Sequence, residues 1–391
     1  MHRLARTHSV MSEGPRIVFA TASITASSFL REEIAQLSAR GADVTLITGP
    51  SEPADFPCKV EVISSLGRDP SPLNDLRALR ATIKVVRRCR PDVVHASTPK
   101  AALFGLIAAF VARVPRRVYL VRGLRLETAS RPARVVLGLL EWLTCRLATD
   151  VVVVSRSLGA AMAERHLVAQ QRVTMIGAGA SAGVDTSHFR PAEASSRARA
   201  REELGIGADD VVLVFVGRLH RDKGLATLID AFGQLRASQA RPIWLVTAGE
   251  VEGDAKWRLV VKQWLAEPGV IALGQRDDVR PVYAVADVAV LPSLREGLPN
   301  VVLEASSCGL PVVVTDSVGT RDAAVDGLTG RVVPTGDAPA LAAALSEIIS
   351  RPDRGREFGE AGRAWVHANF EKENVVRNHV DYLMSSSRGR H

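Results

Sequence analysis

Two carboxylates eight residues apart, Glu296 and Glu304, are the side chains of this sequence best placed to do chemistry. Both fall in Ser293–Pro311, SLREGLPNVVLEASSCGLP, between two apolar runs, Asp287–Leu291 (DVAVL) and Val312–Thr315 (VVVT). The runs read as buried strands. Pro299 suits a first helical turn, where its missing N–H would be unpaired anyway, and Gly309 and Pro311 stop the helix. The result is one βαβ unit, with Glu296 in the loop at the strand's carboxyl end and Glu304 about one turn into the helix. Open parallel sheets bind ligands outside the carboxyl ends of their strands, and a helix start suits an anion such as a diphosphate. Carboxylates beside that anion would accept hydrogen bonds from neutral hydroxyls, as on a sugar or a ribose. The spacing alone fits equally well a helix acid favoured by the dipole and a solvated loop acid.

A cationic pair supplies the complementary chemistry. Val211–Val216 (VVLVFV) is a continuous apolar run, a buried strand, and Gly217 after it lets the backbone turn closely. Arg218 and Lys223 then flank a loop that opens a helix at Gly224-Leu225. A guanidinium holds phosphate oxygens in bidentate fashion, and a lysine acts as a mobile point charge.

The glutamate segment resembles the E-x7-E signature of family 4, the retaining, nucleotide-sugar-dependent glycosyltransferases of the GT-B fold. Val214–Gly224 (VFVGRLHRDKG) resembles that family's GR-L-x-x-(D/E)KG element, and the likeness runs from about Arg16 to about Asn369. It implies an α/β chain of two doubly wound parallel-sheet Rossmann-like domains facing across a cleft. The expected division is a tail at 1–15, an acceptor domain at 16–190, a donor domain at 191–370, and a returning C-terminal helix and polar tail at 371–391. It further implies transfer from a nucleoside diphosphate sugar, a UDP-linked hexose or N-acetylhexosamine, with no cofactor and no metal. The Asp-x-Asp motif of metal-dependent transferases is not in the sequence. Arg218 and Lys223 would stabilise the leaving diphosphate, Glu296 would hold the sugar hydroxyls, and Glu304 the ribose. Gly217, Gly297, Leu298, Pro299, Asn300 and Arg276 would complete the donor site. Gly249-Glu250 departs from the family's usual Gly-Asp-Gly.

The remaining sequence sets the surroundings. At 391 residues, 47% hydrophobic and 24% charged, the chain has the length of two domains and the composition of a soluble globular protein. Four scattered cysteines without CxxC spacing suggest neither a disulfide framework nor zinc, which suits a cytoplasmic protein. The longest uncharged apolar run, Ala101–Ala112, is shorter than the roughly 20 residues a bilayer span needs and reads as a crossover helix. Charge is uneven: residues 1–190 hold 26 Lys and Arg against 15 Asp and Glu, the rest 24 against 27. Arg77, Arg80, Lys84, Arg87, Arg88 and Arg90 concentrate it on a helix expected at Leu73–Cys89, either lying on anionic headgroups at the inner face of the plasma membrane or forming a solvated face. No nucleic-acid-binding pattern accompanies the charge.

In the first half, strands at Arg16–Thr21, Asp43–Thr48, Lys59–Ile63, Asp92–His95, Arg116–Val121 and Asp150–Val154 alternate with helices, which predicts a parallel sheet. Their carboxyl-end loops carry Thr25, Thr98, Lys100, Arg122 and Arg125, the expected acceptor residues. Lys100, Arg122 and Arg125 on one rim would suit a phosphate-bearing acceptor such as a polyprenyl diphosphate-linked sugar in surface-polysaccharide assembly. Where the family usually shows a histidine before glycine, this chain has Arg122-Gly123. His95 reads equally as packed or as ligand-contacting. Gly177 and Gly179 lead into no helix and read as interdomain linker rather than a dinucleotide fingerprint. Competing readings are a transferase with a soluble natural-product acceptor, a GT-B-fold epimerase, and a non-catalytic sugar-nucleotide-binding partner.

Overall fold

The computed structural model describes residues 14–22, 30–50, 56–67 and 71–385. The first domain runs β1 (Arg16–Ala20), α1 (Arg31–Ala39), β2 (Asp43–Thr48), β3 (Lys59–Val62), α2 (Pro72–Cys89), β4 (Val93–Ser97), α3 (Pro99–Val111), β5 (Arg116–Val121), α4 (Arg131–Leu147), β6 (Asp150–Val153), α5 (Arg156–Glu164) and β7 (Val173–Met175). Its strands pair in parallel in the order β3-β2-β1-β4-β5-β6-β7. The seventh strand lies in a stretch that reads as linker in the sequence: three residues, Val173–Met175, pair with Val151–Val153. So short a run carries almost no periodicity.

The second domain runs α6 (Ala194–Glu203), β8 (Val211–Val216), α7 (Leu225–Ser238), β9 (Ile243–Ala248), α8 (Ala255–Leu265), β10 (Val270–Ala272), α9 (Arg280–Val285), β11 (Val288–Leu291), α10 (Asn300–Ser307), β12 (Val312–Thr315), β13 (Gly330–Val333), α11 (Ala338–Ser350) and α12 (Pro352–Phe370). Its parallel order is β10-β9-β8-β11-β12-β13. Strands β8, β11 and β12 are buried along their whole length, as expected of a sheet covered on both faces. In both sheets the order reverses beside the first strand, at β1/β4 and β8/β11, the switch point where open α/β sheets form a crevice.

Two segments join the domains and run side by side. Val184 donates to the Phe370 carbonyl at 2.8 Å, and Lys372 donates back to Val184 at 2.9 Å. The chain then continues as α13 (Lys372–Met384), which returns to the first domain. There Val376, Val380 and Leu383 join the core of β1, β5 and β6. Arg116 fixes its end, donating to the Tyr382 carbonyl at 2.8 Å.

Candidate active site

The loop after β11 is held from three sides. Leu294 N–H donates to the Asp222 carbonyl (2.9 Å), and Glu296 N–H donates to the Val318 carbonyl (2.9 Å). Gly319, at φ +77°, has no room for a side chain, because a Cβ would run into the Glu296 and Gly297 carbonyls. The loops after β8, β11 and β12 therefore form one knitted surface at the carboxyl end of the sheet. On it, Lys223 Nζ donates to Glu296 Oε1 at 2.5 Å, and Ser293 Oγ donates to the same oxygen at 2.7 Å. Both members of the ion pair are largely shielded from solvent, with 15% and 14% of their side chains exposed, so the pair is attracted more strongly than a surface one.

Arg218 lies beside this pair, half exposed, 2.5 Å from Glu252 and 3.6 Å from Asp222. Burial opposes its charge, but the hydrogen bond and charge of Glu252, with Asp222 and Glu296 beyond, raise its pKa above the ordinary value. Asp222 is the organiser of the cations. It is 6% exposed and also meets His220 (2.6 Å) and Arg295 (2.9 Å). Burial pushes its pKa up, yet His220, Arg295 and Arg218 together hold it below the usual carboxylate value.

Glu304 sits in α10 with a different environment. Burial pushes its carboxyl up to about 7, partly offset by the Tyr283 hydroxyl, which lies 3.2 Å from Oε2 and 3.0 Å from the Val301 carbonyl. Pro299 precedes the helix instead of occupying its first turn: its ψ of 105° is extended, and Asn300 is the first helical residue. Gly217, at φ +145°, donates to the Ala248 carbonyl and joins the loops after β8 and β9. Arg276 is exposed in the loop after β10.

The first domain closes against this surface. A Cβ on Gly297 would strike the Arg122 carbonyl, so only glycine allows the two backbones to lie this close. Ser155 Oγ donates to the Gly297 carbonyl at 2.6 Å, and Leu298 packs against the cores of both domains. Arg295 bridges the interface, donating from Nε to Thr128 Oγ1 at 2.8 Å and from Nη2 to Asp222. Asp322 accepts from the backbone N–H (3.0 Å) and hydroxyl of Ser157, at the N-terminus of α5.

The three first-domain cations lie in three different surroundings. Lys100 pairs with Asp75 of α2 at 2.8 Å. Arg125 is exposed at the head of a 3₁₀ turn, Arg125–Thr128. Arg122 turns its guanidinium inward; Nε and Nη2 have no surface, and the charge of Glu33 supports it. Burial lowers Arg122 to about 10 and lifts Glu33 to about 7. His379 of α13 stands 3.9 Å from Glu33 and is lowered to about 4, by burial and then by Arg122. His95 is buried in the same region, its ring 4.8 Å from that of Phe19. Thr98 holds φ +68° before α3, and its hydroxyl accepts from Ala22 N–H at 3.1 Å. Thr25 lies outside the described residues.

Sequence reasoning passed over Asp222, Arg295, Ser293 and Tyr283. Asp222 and Arg295 are each adjacent to a residue it chose, and an acid beside two cations was the available signal. Ser293 and Tyr283 act through the fold and leave no such mark.

Two Rossmann-like domains meeting at the carboxyl ends of their sheets, with paired acids and cations at the junction, define a GT-B glycosyltransferase. Residues 196–365 match the family model described as "Glycosyl transferases group 1", and residues 25–179 match "Glycosyl transferase 4-like domain". The chain is 30% identical over 348 residues to the capsular polysaccharide biosynthesis glycosyltransferase CapM of Staphylococcus aureus, covering 88% of this chain and 90% of that protein. It is 27% identical to the Escherichia coli UDP-Gal:alpha-D-GlcNAc-diphosphoundecaprenol alpha-1,3-galactosyltransferase, covering 78% and 80% respectively. Anabaena HepE in complex with UDP-glucose superposes with a TM-score of 0.76 at 22% identity, over 95% of this chain and 100% of that one, a likeness of fold. The chain belongs to the family 4 glycosyltransferases.

Proposed function

We propose that the protein moves a hexose or N-acetylhexosamine from a UDP-sugar to a hydroxyl of a polyprenyl diphosphate-linked sugar, with retention at the anomeric carbon, in the assembly of a cell-surface polysaccharide. The observation that carries the reading is the Lys223–Glu296 pair with Ser293 on Glu296 Oε1. It puts one acid, already oriented, beside the cations that would receive a diphosphate.

In the reaction the bond from the anomeric carbon to the diphosphate breaks, leaving negative charge on the phosphate and positive character on the sugar. Arg218, Lys223 and the first N–H groups of α10 are arranged for the negative charge, and Glu296 for the positive, so stabilisation comes from fixed groups that need little reorganisation. As diphosphate binds it competes with Glu252 and Glu296 for the two cations, which frees Glu296 to accept from sugar hydroxyls. Glu304, with Tyr283 behind it, faces the ribose hydroxyls. The acceptor hydroxyl attacks from the leaving-group face and gives its proton to a donor phosphate oxygen, so the scheme asks for no side-chain base. The relatives support the acceptor class, one being named for capsular polysaccharide and another for a diphosphoundecaprenol-linked acceptor.

The test is a screen of nucleotide sugars for protection against heat unfolding, followed by transfer of the best donor to a synthetic polyprenyl diphosphate sugar and assignment of the new anomeric centre by NMR. A rise in Tm with one UDP-sugar and an α-linked product from an α-linked donor are expected. Inversion, or conversion of the donor to its epimer without acceptor, would reject the mechanism.

A further inference from the structure

Helix α4 presents to solvent what a buried helix would hide. Val135, Val136, Leu139, Leu140, Trp142 and Leu143 are 37–64% exposed and form one broad apolar face over about two and a half turns. Only Thr144 and Cys145 of its seventeen residues are fully buried. The exposed large apolar residues of the second domain, by contrast, fall in pairs: Leu259 with Val260, and Val325 with Leu328.

The charge around this stripe identifies its partner. Helices α2, α3 and α4 pack side by side, α2 on α3 and α3 on α4, as one outer layer of the first domain. Together they hold nine Lys and Arg and two carboxylates. Both carboxylates are engaged: Asp75 pairs with Lys100, and Glu141 accepts from the Tyr119 hydroxyl at 2.6 Å. Arg131, Arg134 and Arg146 stand exposed at the two ends of the stripe itself. A second copy of the chain docked through this layer would set cations against cations, because a two-fold contact places the same patch on both sides. An anionic lipid surface accepts both features at once, apolar side chains below the headgroups and arginines among the phosphates. Trp142 suits that boundary, where one end of a ring is apolar and the other wet. No helix of the described residues is long and apolar enough to cross a membrane, so the contact lies along the surface.

We propose that α4 docks the protein on an anionic membrane surface, with the basic helix α2 as an electrostatic flank and not the anchor. The buried side of α2, including Ala78, Val85 and Val86, is already used against the sheet. Docking through α4 has a geometric consequence. The 3₁₀ turn Arg125–Thr128 immediately precedes the helix, and its Thr128 touches Arg295 of the second domain. The junction of the domains is therefore held near headgroup level, where a lipid-linked sugar would be presented. This consequence rests on the acceptor proposed above; the docking does not.

The full chain is mixed with phosphatidylcholine vesicles, with and without phosphatidylglycerol, and the bound fraction measured by flotation. Binding is expected only with the anionic lipid and should fall as salt rises. The Leu139→Glu, Trp142→Glu double variant should lower the partition coefficient at least about tenfold, since each change sets a charge where an apolar side chain would insert. Its Tm, and the Tm rise with UDP-glucose, should match wild type, which separates failure of docking from failure to fold or to bind donor. The proposal is overturned by any of four results: no binding at low salt, equal binding to both vesicle types, wild-type binding by the variant, or a lipid-free dimer that the same two changes dissociate.

Discussion

The two sides of the interdomain junction spend their charge differently. In the second domain the cations at the strand ends face acids across the site: Lys223 to Glu296, and Arg218 to Glu252 and Asp222. In the first domain the charges at equivalent strand ends point into the structure or onto a neighbouring helix, Arg122 toward Glu33 and Lys100 to Asp75. Under the proposed function, the difference follows from what each side would recognise. A diphosphate has fixed charge and shape, so a fixed constellation of cations can receive it with little rearrangement. In the first domain Lys100 is instead paired with a neighbouring helix and Arg122 is turned inward.

The sharpest way to break that contrast is to remove charge from each side in turn. Glu296→Gln should reduce turnover on the order of 100-fold, the scale of losing one preorganised electrostatic contact to the transition state. Donor protection against heat should change little, because the amide still accepts a hydrogen bond. Turnover within twofold of wild type would sink the assignment. Arg122→Gln should act oppositely. It removes the buried cation whose charge supports Glu33 and should lower Tm. The Tm shift with donor should survive. If instead Tm is unchanged and only the acceptor KM rises, Arg122 contacts acceptor and the contrast between the two sides fails.

The same contrast explains what could be read in the sequence. The buried strands β8, β11 and β12 were legible because parallel strands covered on both faces are unbroken apolar runs. The residues proposed for the donor, Arg276 apart, could be picked out because they cluster in two short segments, Gly217–Lys223 and Glu296–Glu304. Arg122, Lys100 and Arg125 were legible only as cations near strand ends. The surroundings of Arg122 and Lys100 depend on Glu33 and Asp75, dozens of residues away in sequence, and no local pattern encodes that choice. Helix α4 was missed for a related reason: an amphipathic stripe shows that one face is apolar, not whether the fold covers it.

Glu304 sharpens the comparison within the donor side, because its acid is buried with a tyrosine and not with a cation. Its folded pKa of about 7 lies above the ordinary 4.5, so the folded protein binds the extra proton between those values. Stability from this group is therefore greatest at low pH and is lost as pH rises through 7. Glu304→Gln removes the ionisation. Its stability relative to wild type should climb from pH 5 to pH 8 by about 1–3 kcal/mol, the order set by a shift of this size. UDP-sugar affinity should meanwhile fall severalfold. A pH-independent difference in Tm would show that the carboxyl is not buried as the structure has it.

The smallest effect is expected where the two domains merely touch. Asp322 of the second domain accepts from the N–H and hydroxyl of Ser157 at the start of α5, and Ser157 Oγ accepts in turn from Gly319 N–H at 2.7 Å. Gly319 is the residue packed against the Glu296 carbonyl, so this latch is one residue from the loop that orients the acid. Asp322→Ala should remove a charged hydrogen bond worth about 1.5–3 kcal/mol in the closed arrangement, diluted in kinetics by however often the domains are open. The donor KM should rise severalfold with kcat within twofold, because closure is needed to hold substrate more than to perform the transfer. Ser157→Ala should act in the same direction, and the double variant should lose less than the sum of the two, since the hydroxyl–carboxylate bond they share is removed only once while the Ser157 N–H and Gly319 N–H contacts each depend on one side chain. Additive losses in the double variant would mean that the two side chains serve separate purposes and that no latch joins the domains here.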